Sequence, residues 1–497
     1  MNVKKLVCSI ISLSLLVNCG IAALPVSASA VDTDTEIYIS PDGNDSNSGS
    51  SESPFKTLER AKAEVRVHNS NMSGNIIVNI ASGVYYMDNT LEFTQADSGT
   101  NGFSVIYRGI TDENGNSPIV SGGVDISDNW ELYDESLNIY KHENIDWSFR
   151  QLYTNNDRAI RARVPNLENK ETGGPYFRAS GGDGSYPLFI GTNNEYAQKA
   201  GNDAEIIWNS SWSQFRARIE SYNSSTGRVT FKAPDNSFAW NHHTQGDTPF
   251  YLENSLAYLD SEGEWYLDKD TSTLYYKPRE GEIMNKTEII APKLETIIDI
   301  NGTDENKTEN ITFDGIQFLH SNWLAPDSYG YCSVQGGFRY QSEGGKDNSA
   351  IRGSARYDAP KSMVQLRHTK NISLINSEFS FSGSWGIMGY EDTENTFIDH
   401  NVFTKNAGGG VTMGMAGREW DDQTENEQPR TYTDMDGQSR YDTITNNYID
   451  HVACEYQDMV GIGAMLPQHM TIANNEIGCL PYTCLLYTSP SPRDSTS

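Results

Sequence analysis

The second half of the chain contains five copies of a short segment with one pattern of apolar residues. The copies are ITFDGIQF from Ile311, ISLINSEF from Ile372, TFIDHNVF from Thr396, DTITNNYI from Asp442 and MTIANNEI from Met470. Each has an apolar residue at its third place and another at its eighth. Two copies start 24 residues apart, at 372 and 396, and two start 28 apart, at 442 and 470. Periods of this size are typical of solenoids, in which each repeat packs against its neighbours.

Asparagine collects at the fifth and sixth places of these copies: Asn376, Asn401, Asn446, Asn447, Asn474 and Asn475. The tight turn between two short parallel strands favours a residue that tolerates left-handed backbone, as Asn does. Stacked Asn side chains can also hydrogen-bond along the stack. A β-sandwich would instead show hairpins with Asn-Gly turns at short spacing. The repeat therefore predicts an all-β chain folded as a right-handed parallel β-helix.

The same pattern predicts which residues fill the coil. We expect one internal ladder with neighbouring members about 4.8 Å apart. Its members are Phe313, Leu374, either Phe397 or Ile398, Ile444 and Ile472.

One amphipathic helix is predicted ahead of the strands, in SESPFKTLERAKAEVRV. Ser53 can cap it, Pro54 suits its first position, and Leu58, Ala61 and Val65 form one apolar stripe. We expect this helix to cap the open end of the coil. The segment between the ends lacks the repeat and contains hairpin-like pieces such as EWYLDKDTSTLYYKP, which predict a β-rich insertion.

The expected organisation is a signal peptide at 1–30, an N-terminal cap with the first rungs at 31–135, a β-rich insertion at 136–290, the β-helix at 291–483 and a foreign tail at 484–497. The leader has Lys4 and Lys5, an apolar run too short to span a membrane, and Ala28-Ser29-Ala30 as a cleavage site. It predicts a secreted, extracellular protein cleaved after Ala30. A lipoprotein anchored through Cys19 is the alternative.

The tail follows a repeat that stops in mid-rung. LLYTSPSPRDS resembles a translated sequencing adapter, so we expect the residues from about Cys484 onward to be foreign and the gene to be cut short. The alternative is a natural Ser/Pro linker.

The formal net charge of −30 predicts repulsion of nucleic acid and anionic lipid, and a soluble monomer. Beyond the leader, Cys332, Cys454, Cys479 and Cys484 are scattered without CxxC spacing. That distribution predicts neither a disulfide framework nor a zinc site, and no metal or other cofactor is expected.

Acidic residues concentrate in GYEDTENTFIDHN, from Gly389 to Asn401. Two carboxyl groups can act together as acid and nucleophile when about 5 Å apart, or as acid and base when about 6.5–9.5 Å apart, and stacked rungs supply such pairs. The strands GIMG, GVTM and GIGA are predicted to be equivalent, from Gly386, Gly410 and Gly461. The predicted catalytic residues are Glu391 or Asp392 paired with Asp421 or Asp422, with Asp458 entering from the opposite edge in reserve.

The alternative for each of these acids is a solvated charge, and Asp399 is expected to be structural. Trp323, Trp385, Trp420 and Tyr390 are candidate sugar platforms, with simple packing as their alternative. The arginines of DRAIRARVPN are expected to form structural ion pairs between insertion and coil.

Several stretches, spread in order over nearly the whole range 37–483, resemble those of glycoside hydrolase family 141: YISPDGNDSNSG with SPFKTLERA, RQLYTNNDRAIRARVPN, GEWYLD with TLYYKP, GIQFLHSNW, VQLRHTKNISLINSEF and NNEIGCLPYT. The resemblance implies a secreted glycosidase acting on plant or host glycans, with fucosidase- or xylanase-like activity. It also implies a pair of acidic catalytic residues and no obligatory cofactor.

Three function classes stay open on the residues alone: a glycoside hydrolase, a polysaccharide lyase for uronates, and a non-catalytic surface or adhesion protein. Residues 371–480 are strongly acidic, which disfavours a polyuronate substrate and a lyase. Only a cleft with paired acids separates the hydrolase from the adhesion protein, since the fold does not decide function. The expected partner is a polysaccharide or oligosaccharide, with no membrane span.

Overall fold

The computed structural model describes residues 34–169, 173–180, 188–210, 212–232, 247–334, 338–342, 355–358, 360–414, 437–465 and 467–488. The predicted leader, the predicted site residues Trp420, Asp421 and Asp422, and residues 489–497 lie outside these ranges.

Most described elements are short strands. The first part of the chain has β1 (Thr35–Ile39), α1 (Leu58–His68), β2 (Ile76–Ala81), β3 (Val84–Tyr86), β4 (Leu91–Phe93), β5 (Val105–Ile110), β6 (Ile119–Ser121) and β7 (Gly123–Asp125). The middle part has β8 (Glu131–Asp134), β9 (Ile139–Glu143), β10 (Tyr153–Thr154), β11 (Asp157–Arg158), β12 (Ile160–Arg161), β13 (Arg163–Val164), β14 (Phe177–Arg178), β15 (Leu188–Phe189), α2 (Glu195–Lys199), β16 (Glu205–Ser210), β17 (Ser213–Asn223), β18 (Arg228–Phe231), β19 (Pro249–Glu253), β20 (Glu264–Asp268), β21 (Thr273–Tyr276) and β22 (Ile289–Pro292). The last part has β23 (Ile298–Asn301), β24 (Thr308–Asp314), β25 (Gln317–Leu319), α3 (Ala325–Tyr329), β26 (Tyr331–Val334), β27 (Phe338–Ser342), β28 (Ala355–Asp358), β29 (Ser362–Ile375), β30 (Glu378–Ser380), β31 (Trp385–Glu394), β32 (Phe397–Asp399), β33 (Val402–Thr404), β34 (Val411–Gly414), β35 (Thr443–Thr445), β36 (Tyr448–Asp450), β37 (Val460–Met465), β38 (Thr471–Ala473), β39 (Glu476–Gly478) and β40 (Thr483–Thr488).

The parallel strands form three rows. The first row is β4, β23, the start of β29, β31, β34, β37 and β40. The second row is β1, β2, β5, β24, the end of β29, β32, β35 and β38. The third row is β3, β6, β25, β30, β33, β36 and β39. From β23 onward each turn of the chain adds one strand to each row, so the prediction of an all-β fold with stacked parallel sheets is confirmed.

Each row places one line of apolar side chains inside the coil. In the second row the aligned residues are Ile37, Val78, Tyr107, Phe313, Leu374, Ile398, Ile444 and Ile472. The predicted ladder is therefore confirmed, and Ile398 rather than Phe397 belongs to it. Ile398 is 0% exposed and Phe397 is 38% exposed, because successive strand residues point to opposite faces. In the third row the rings of Phe318, Phe379 and Phe403 stack with centroids 5.2 Å apart.

The asparagines form a second, polar ladder at the turns. Asn446 and Asn474 have φ values of 55° and 57°, the left-handed backbone that the repeat predicts. Asn401 donates from Nδ2 to the carbonyl of Leu374 at 2.8 Å and accepts from the Ser377 backbone N–H at 2.9 Å. Its Nδ2 also lies 3.1 Å from the Oδ1 of Asn447 in the next coil. The ladder thus satisfies buried backbone groups where the strands end.

We expect Asn401→Ala to lower the free energy of unfolding by about 3 kcal/mol, because it leaves the buried Ser377 N–H and Leu374 carbonyl without this partner. The control is Asn376→Gly, which keeps the positive φ of 51° at an exposed asparagine in the corresponding turn of the preceding coil and should cost less than about 1 kcal/mol. Urea denaturation followed by fluorescence compares the two variants. Equal losses would contradict the structural role of the buried ladder.

Helix α1 carries the predicted stripe, since Leu58, Ala61 and Val65 are its buried residues. Its predicted start is wrong. The helix begins at Leu58 after the N-cap Thr57, whose side chain accepts from the Arg60 backbone N–H. Phe55 is fully buried and its N–H donates to the carbonyl of Tyr38 in β1, which keeps the chain extended past Pro54.

The middle of the chain forms predominantly antiparallel sheets beside the coil. Strand β22 pairs with β7 and β10, strands β8, β9, β12, β20 and β21 form a second sheet, and β16, β17 and β19 lie at the centre of a third. Strand β26 joins this third sheet by pairing with β17, so a later segment of the chain also contributes to it. These sheets have apolar cores of their own, apart from the core of the coil.

The residues expected to be foreign begin within a strand. Leu485 of β40 lies opposite Ile462 of β37, in parallel register. An extended apolar segment can extend an open edge of a sheet whatever its origin, so the predicted origin of the tail stays a prediction. Among the described residues, no helix has the length and apolar character needed to cross a membrane.

Candidate active site

A β-bulge positions the first group of predicted acids. In the pairing of β29 with β31, Leu366 lies opposite Gly389 but Arg367 lies opposite Glu391, so Tyr390 is the extra residue. Bulges re-aim the side chains that follow them and are frequent beside active sites. Asp392 follows with a φ of 48°, an uncommon backbone conformation for a residue other than Gly. We call the cluster of Glu391, Asp392 and the basic residues Lys307, Arg367 and His368 around them the ledge.

Cations and a histidine surround the carboxylates of the ledge. Oε2 of Glu391 lies 2.9 Å from the guanidinium of Arg367. Oδ1 of Asp392 lies 2.8 Å from Nζ of Lys307, and its Oδ2 lies 3.4 Å from Nδ1 of His368. Both carboxylate side chains are about nine-tenths buried. The ledge is therefore a compact ion-paired cluster whose acceptor oxygens already contact basic groups.

Asp421 and Asp422 belong to the chain segment between Gly414 and Gly437, and both of these end residues lie near the ledge. Strand β34 ends at Gly414, and the carbonyl of Gly437 accepts from the backbone N–H of Asp392 at 3.0 Å. The predicted equivalence of GIMG, GVTM and GIGA is confirmed, because Ile387, Val411 and Ile462 are aligned in one row.

Asp458 lies at the other end of these strands, where the antiparallel sheets meet the coil. It is 3% exposed. Its Oδ1 accepts from the Tyr331 hydroxyl at 2.6 Å, and its Oδ2 accepts from the Gln214 backbone N–H at 3.1 Å. Three distant segments thus converge on this carboxylate: the turn before β37, the start of β26 and the start of β17. We call the region around Asp458, Tyr331 and Gln214 the junction.

Several buried polar atoms close to the junction have no hydrogen-bond partner in the described part of the chain. They are Nε1 of Trp385, Oγ1 of Thr412 and Nε2 of Gln214. Trp385 belongs to the same buried cluster as Tyr331. A Cβ added at Gly463 would lie 2.9 Å from Thr412 Oγ1 and 3.6 Å from the Trp385 ring, so the glycine leaves these groups room. Buried polar groups without partners are uncommon in native proteins, and a water or a ligand can bind at such positions.

A buried ionic network holds the antiparallel sheets at this place. Its members are Arg150, Arg161, Arg216, Glu205, Glu253 and Asp327. Arg150 donates two hydrogen bonds of 2.8 Å to Glu205. Burial opposes the charge of Glu205, but Arg150 and Arg161 outweigh it and hold the pKa of this carboxyl well below its ordinary value. Arg216 continues the network to the coil by donating to the Glu455 carbonyl at 2.6 Å.

The predicted structural role of the DRAIRARVPN arginines holds for two of the three. Arg158 pairs with Glu455 of the coil at 2.6 Å, and Arg161 belongs to the buried network. Arg163 instead lies with its guanidinium 3.7 Å from the centre of the Tyr251 ring.

The predicted aromatic platforms differ from expectation in their exposure. Trp323 and Trp385 are 1% and 0% exposed, so neither presents an open ring face to solvent in this structure. Tyr390 is half-buried, and the guanidinium of Arg367 lies 5.9 Å from its ring centre. The sequence could not anticipate this burial, because strand β26 and its neighbours come from outside the repeat.

The structure separates the predicted acids into two groups. Asp458 precedes β37, and the first residue of β37 is level with Trp385 at the start of β31. Glu391 lies six residues after Trp385, which corresponds to about 20 Å along the strand. The two groups therefore cannot act on one glycosidic bond together. Sequence analysis missed Tyr331 and Gln214, because no local pattern relates them to Asp458.

One further acid beside the ledge also escaped prediction. Burial raises the pKa of Asp442 to about 6. Its two oxygens accept from the Thr393 hydroxyl and the Thr396 N–H, each at 2.8 Å. These bonds close the turn after β31, so Asp442 has a structural role.

Two sets of described side chains bring potential metal ligands within 4.8 Å of one another: Asp304 with His368 and Asp392, and Asp450 with His451 and Cys479. In the first set, Lys307 already neutralises Asp392. This contact disfavours a cation there.

Comparison with known proteins supports a carbohydrate-active enzyme. Residues 137–279 match the family model described as the GH141 insertion domain. A solved structure described as a glycoside hydrolase superposes with a TM-score of 0.78 at 25% sequence identity, covering 91% of this chain and 79% of the other. The structure of XylC in complex with xylose aligns with a TM-score of 0.43 at 11% identity, covering 89% of this chain and 58% of the other. No curated protein matches the sequence.

The family-model match falls on the segment that builds the antiparallel sheets, and the structural match extends over the coil as well. The family model points to the family that the sequence resembles, and the solved structure points to a glycoside hydrolase. The chain is therefore a glycoside hydrolase similar to family 141.

Proposed function

We propose that Asp458 is one catalytic carboxylate of this glycoside hydrolase and that the junction is its sugar-binding site. One observation carries the proposal. Asp458 is a buried carboxylate held from two sides by Tyr331 and Gln214, next to buried polar atoms that lack partners. A hydroxyl-rich sugar ring supplies the donors and acceptors that such atoms need.

The chemistry assigned to Asp458 is that of a general acid, base or nucleophile in glycoside hydrolysis. The Tyr331 hydroxyl and the Gln214 N–H fix the orientation of its carboxyl group, as preorganised catalysis requires. The buried arginine network positions β17, from which Gln214 projects. The second carboxylate of the pair is not assigned among the described residues.

The ledge is the second candidate site, supported by the bulge at Tyr390 and the positive φ of Asp392. There Glu391 or Asp392 would pair with Asp421 or Asp422, which belong to the segment between Gly414 and Gly437. The cations around the ledge make an ion-paired structural role the competing explanation.

For the substrate we propose a plant or host glycan, cleaved with fucosidase- or xylanase-like specificity. The net charge of −30 supports a neutral rather than a uronate-rich polymer. We further propose that the protein is exported as a monomer after cleavage behind Ala30, and that the coil is right-handed with α1 as its cap.

The test compares single variants of the full-length gene product on aryl fucosides, aryl xylosides and plant polysaccharides. We expect Asp458→Asn to reduce kcat/KM by about 10²–10⁴-fold with little change in melting temperature. Asp314→Asn, which removes a surface carboxylate bonded only to Asn376 among the contacts described here, is the control and should keep the parent rate.

The ledge is tested in the same assay with Glu391→Gln, Asp392→Asn, Asp421→Asn and Asp422→Asn. If these variants lose activity and Asp458→Asn keeps it, the ledge is the active site and the assignment of Asp458 is wrong. If all five keep the parent rate, both assignments are wrong.

A further inference from the structure

A cysteine, a histidine and an aspartate meet on the outer surface of the third row. Asp450 ends strand β36 and His451 follows it, while Cys479 follows strand β39 of the next coil. The register places Asp450 opposite Gly478, which sets His451 beside Cys479. His451 and Cys479 have nearly equal positive φ values of 50° and 49°, so both turns leave their strands in the same way.

The ligand atoms of these three side chains lie within 4.8 Å of one another. Nδ1 of His451 lies 2.6 Å from Oδ2 of Asp450. Cys479 is exposed and is not in a disulfide.

The opposing residue leaves space for an ion. Gly478 has no side chain, and a Cβ added there would lie 3.4 Å from Oδ1 of Asp450. This is an ordinary contact distance, so the backbone at Gly478 does not crowd the carboxylate. The three ligands are also held by paired strands, which reduces the entropy lost when they converge on a metal.

We propose that Asp450, His451 and Cys479 bind a divalent zinc-like cation that links two successive coils. Thiolate, imidazole and carboxylate together are ligands that Zn²⁺ accepts in tetrahedral geometry, with water as the fourth ligand. Binding converts the Cys479 thiol to a thiolate and releases its proton to solvent, without any change of oxidation state. The site differs from the sequence-based expectation, because the cysteines are scattered along the chain and only the coil brings Cys479 to His451.

The chain offers a control pair in the preceding coil, at the end of β32 in the second row rather than at the third-row position of Asp450. Asp399 and His400 form the same adjacent carboxylate–imidazole contact, again with a positive φ at the histidine, but their set contains no thiol in the described structure. A site that needs all three ligands should therefore be lost in His451→Ala and kept in His400→Ala.

The experiment titrates Co²⁺ and Zn²⁺ into the metal-free, reduced full chain. We expect one equivalent of Co²⁺ to produce a thiolate-to-metal charge-transfer band that Zn²⁺ removes, and Zn²⁺ to raise the melting temperature. Cys479→Ser and His451→Ala should each weaken Zn²⁺ binding about tenfold or more, whereas His400→Ala and Cys484→Ser should bind as the parent does.

Two outcomes would overturn the proposal. The first is a parent protein without the charge-transfer band. The second is a band that survives in Cys479→Ser. If that surviving band is lost in Cys454→Ser, the thiolate belongs to Cys454, whose Sγ lies 2.9 Å from the His451 carbonyl.

Discussion

Arg150→Met is expected to lower the free energy of unfolding by about 3–5 kcal/mol, because it removes one partner from a buried ion network. Arg150 is 2% exposed and Glu205 is 3% exposed. Without the guanidinium, Glu205, Glu253 and Asp327 each lose an ion-pair partner in a largely buried region. Methionine keeps much of the side-chain volume, so the loss measures charge rather than packing.

The control for this prediction is Lys199→Met, which removes an exposed ion pair with Glu195 and should change stability by less than about 0.5 kcal/mol. Guanidinium chloride would screen charges, so urea is the denaturant, with tryptophan fluorescence as the signal. A loss below about 1 kcal/mol for Arg150→Met would show that the network does not hold the antiparallel sheets to the coil.

Ile398→Ala is expected to lower the free energy of unfolding by about 2–5 kcal/mol, whereas Phe397→Ala should cost less than about 1 kcal/mol. Ile398 lies between Leu374 and Ile444 in the internal ladder, and its loss leaves a cavity that paired strands on both sides cannot close. Phe397 is its chain neighbour but points outward and is 38% exposed.

The pair is a sharp test because the two positions differ by one residue and the larger side chain is expected to matter less. Thermal and urea unfolding of both variants measure the difference. A larger loss for Phe397→Ala would mean that the register of this coil is shifted by one residue, which moves every side chain of the strand to the other face.

Only some features of the candidate sites could be predicted from the sequence. The repeat anticipated the alignment of GIMG with GVTM and GIGA, and the placement of Asp458 a strand's length from Glu391. It gave no indication that Tyr331 and Gln214 would hold Asp458, or that Lys307 and Arg367 would pair with the ledge. Those contacts join residues tens to hundreds of positions apart, and nothing local in the sequence encodes them.

The sequence by itself determined the coil. Apolar residues at a fixed phase and asparagines at the turns specify strand, register and stacking locally, because each repeat contacts mainly its neighbours. The tertiary structure alone decided where the coil and the antiparallel sheets meet, and so which carboxylate is enclosed and which is ion-paired. That choice depends on the burial of Arg150, Trp385 and Tyr331 against partners from distant segments, and burial is a property of the packed molecule.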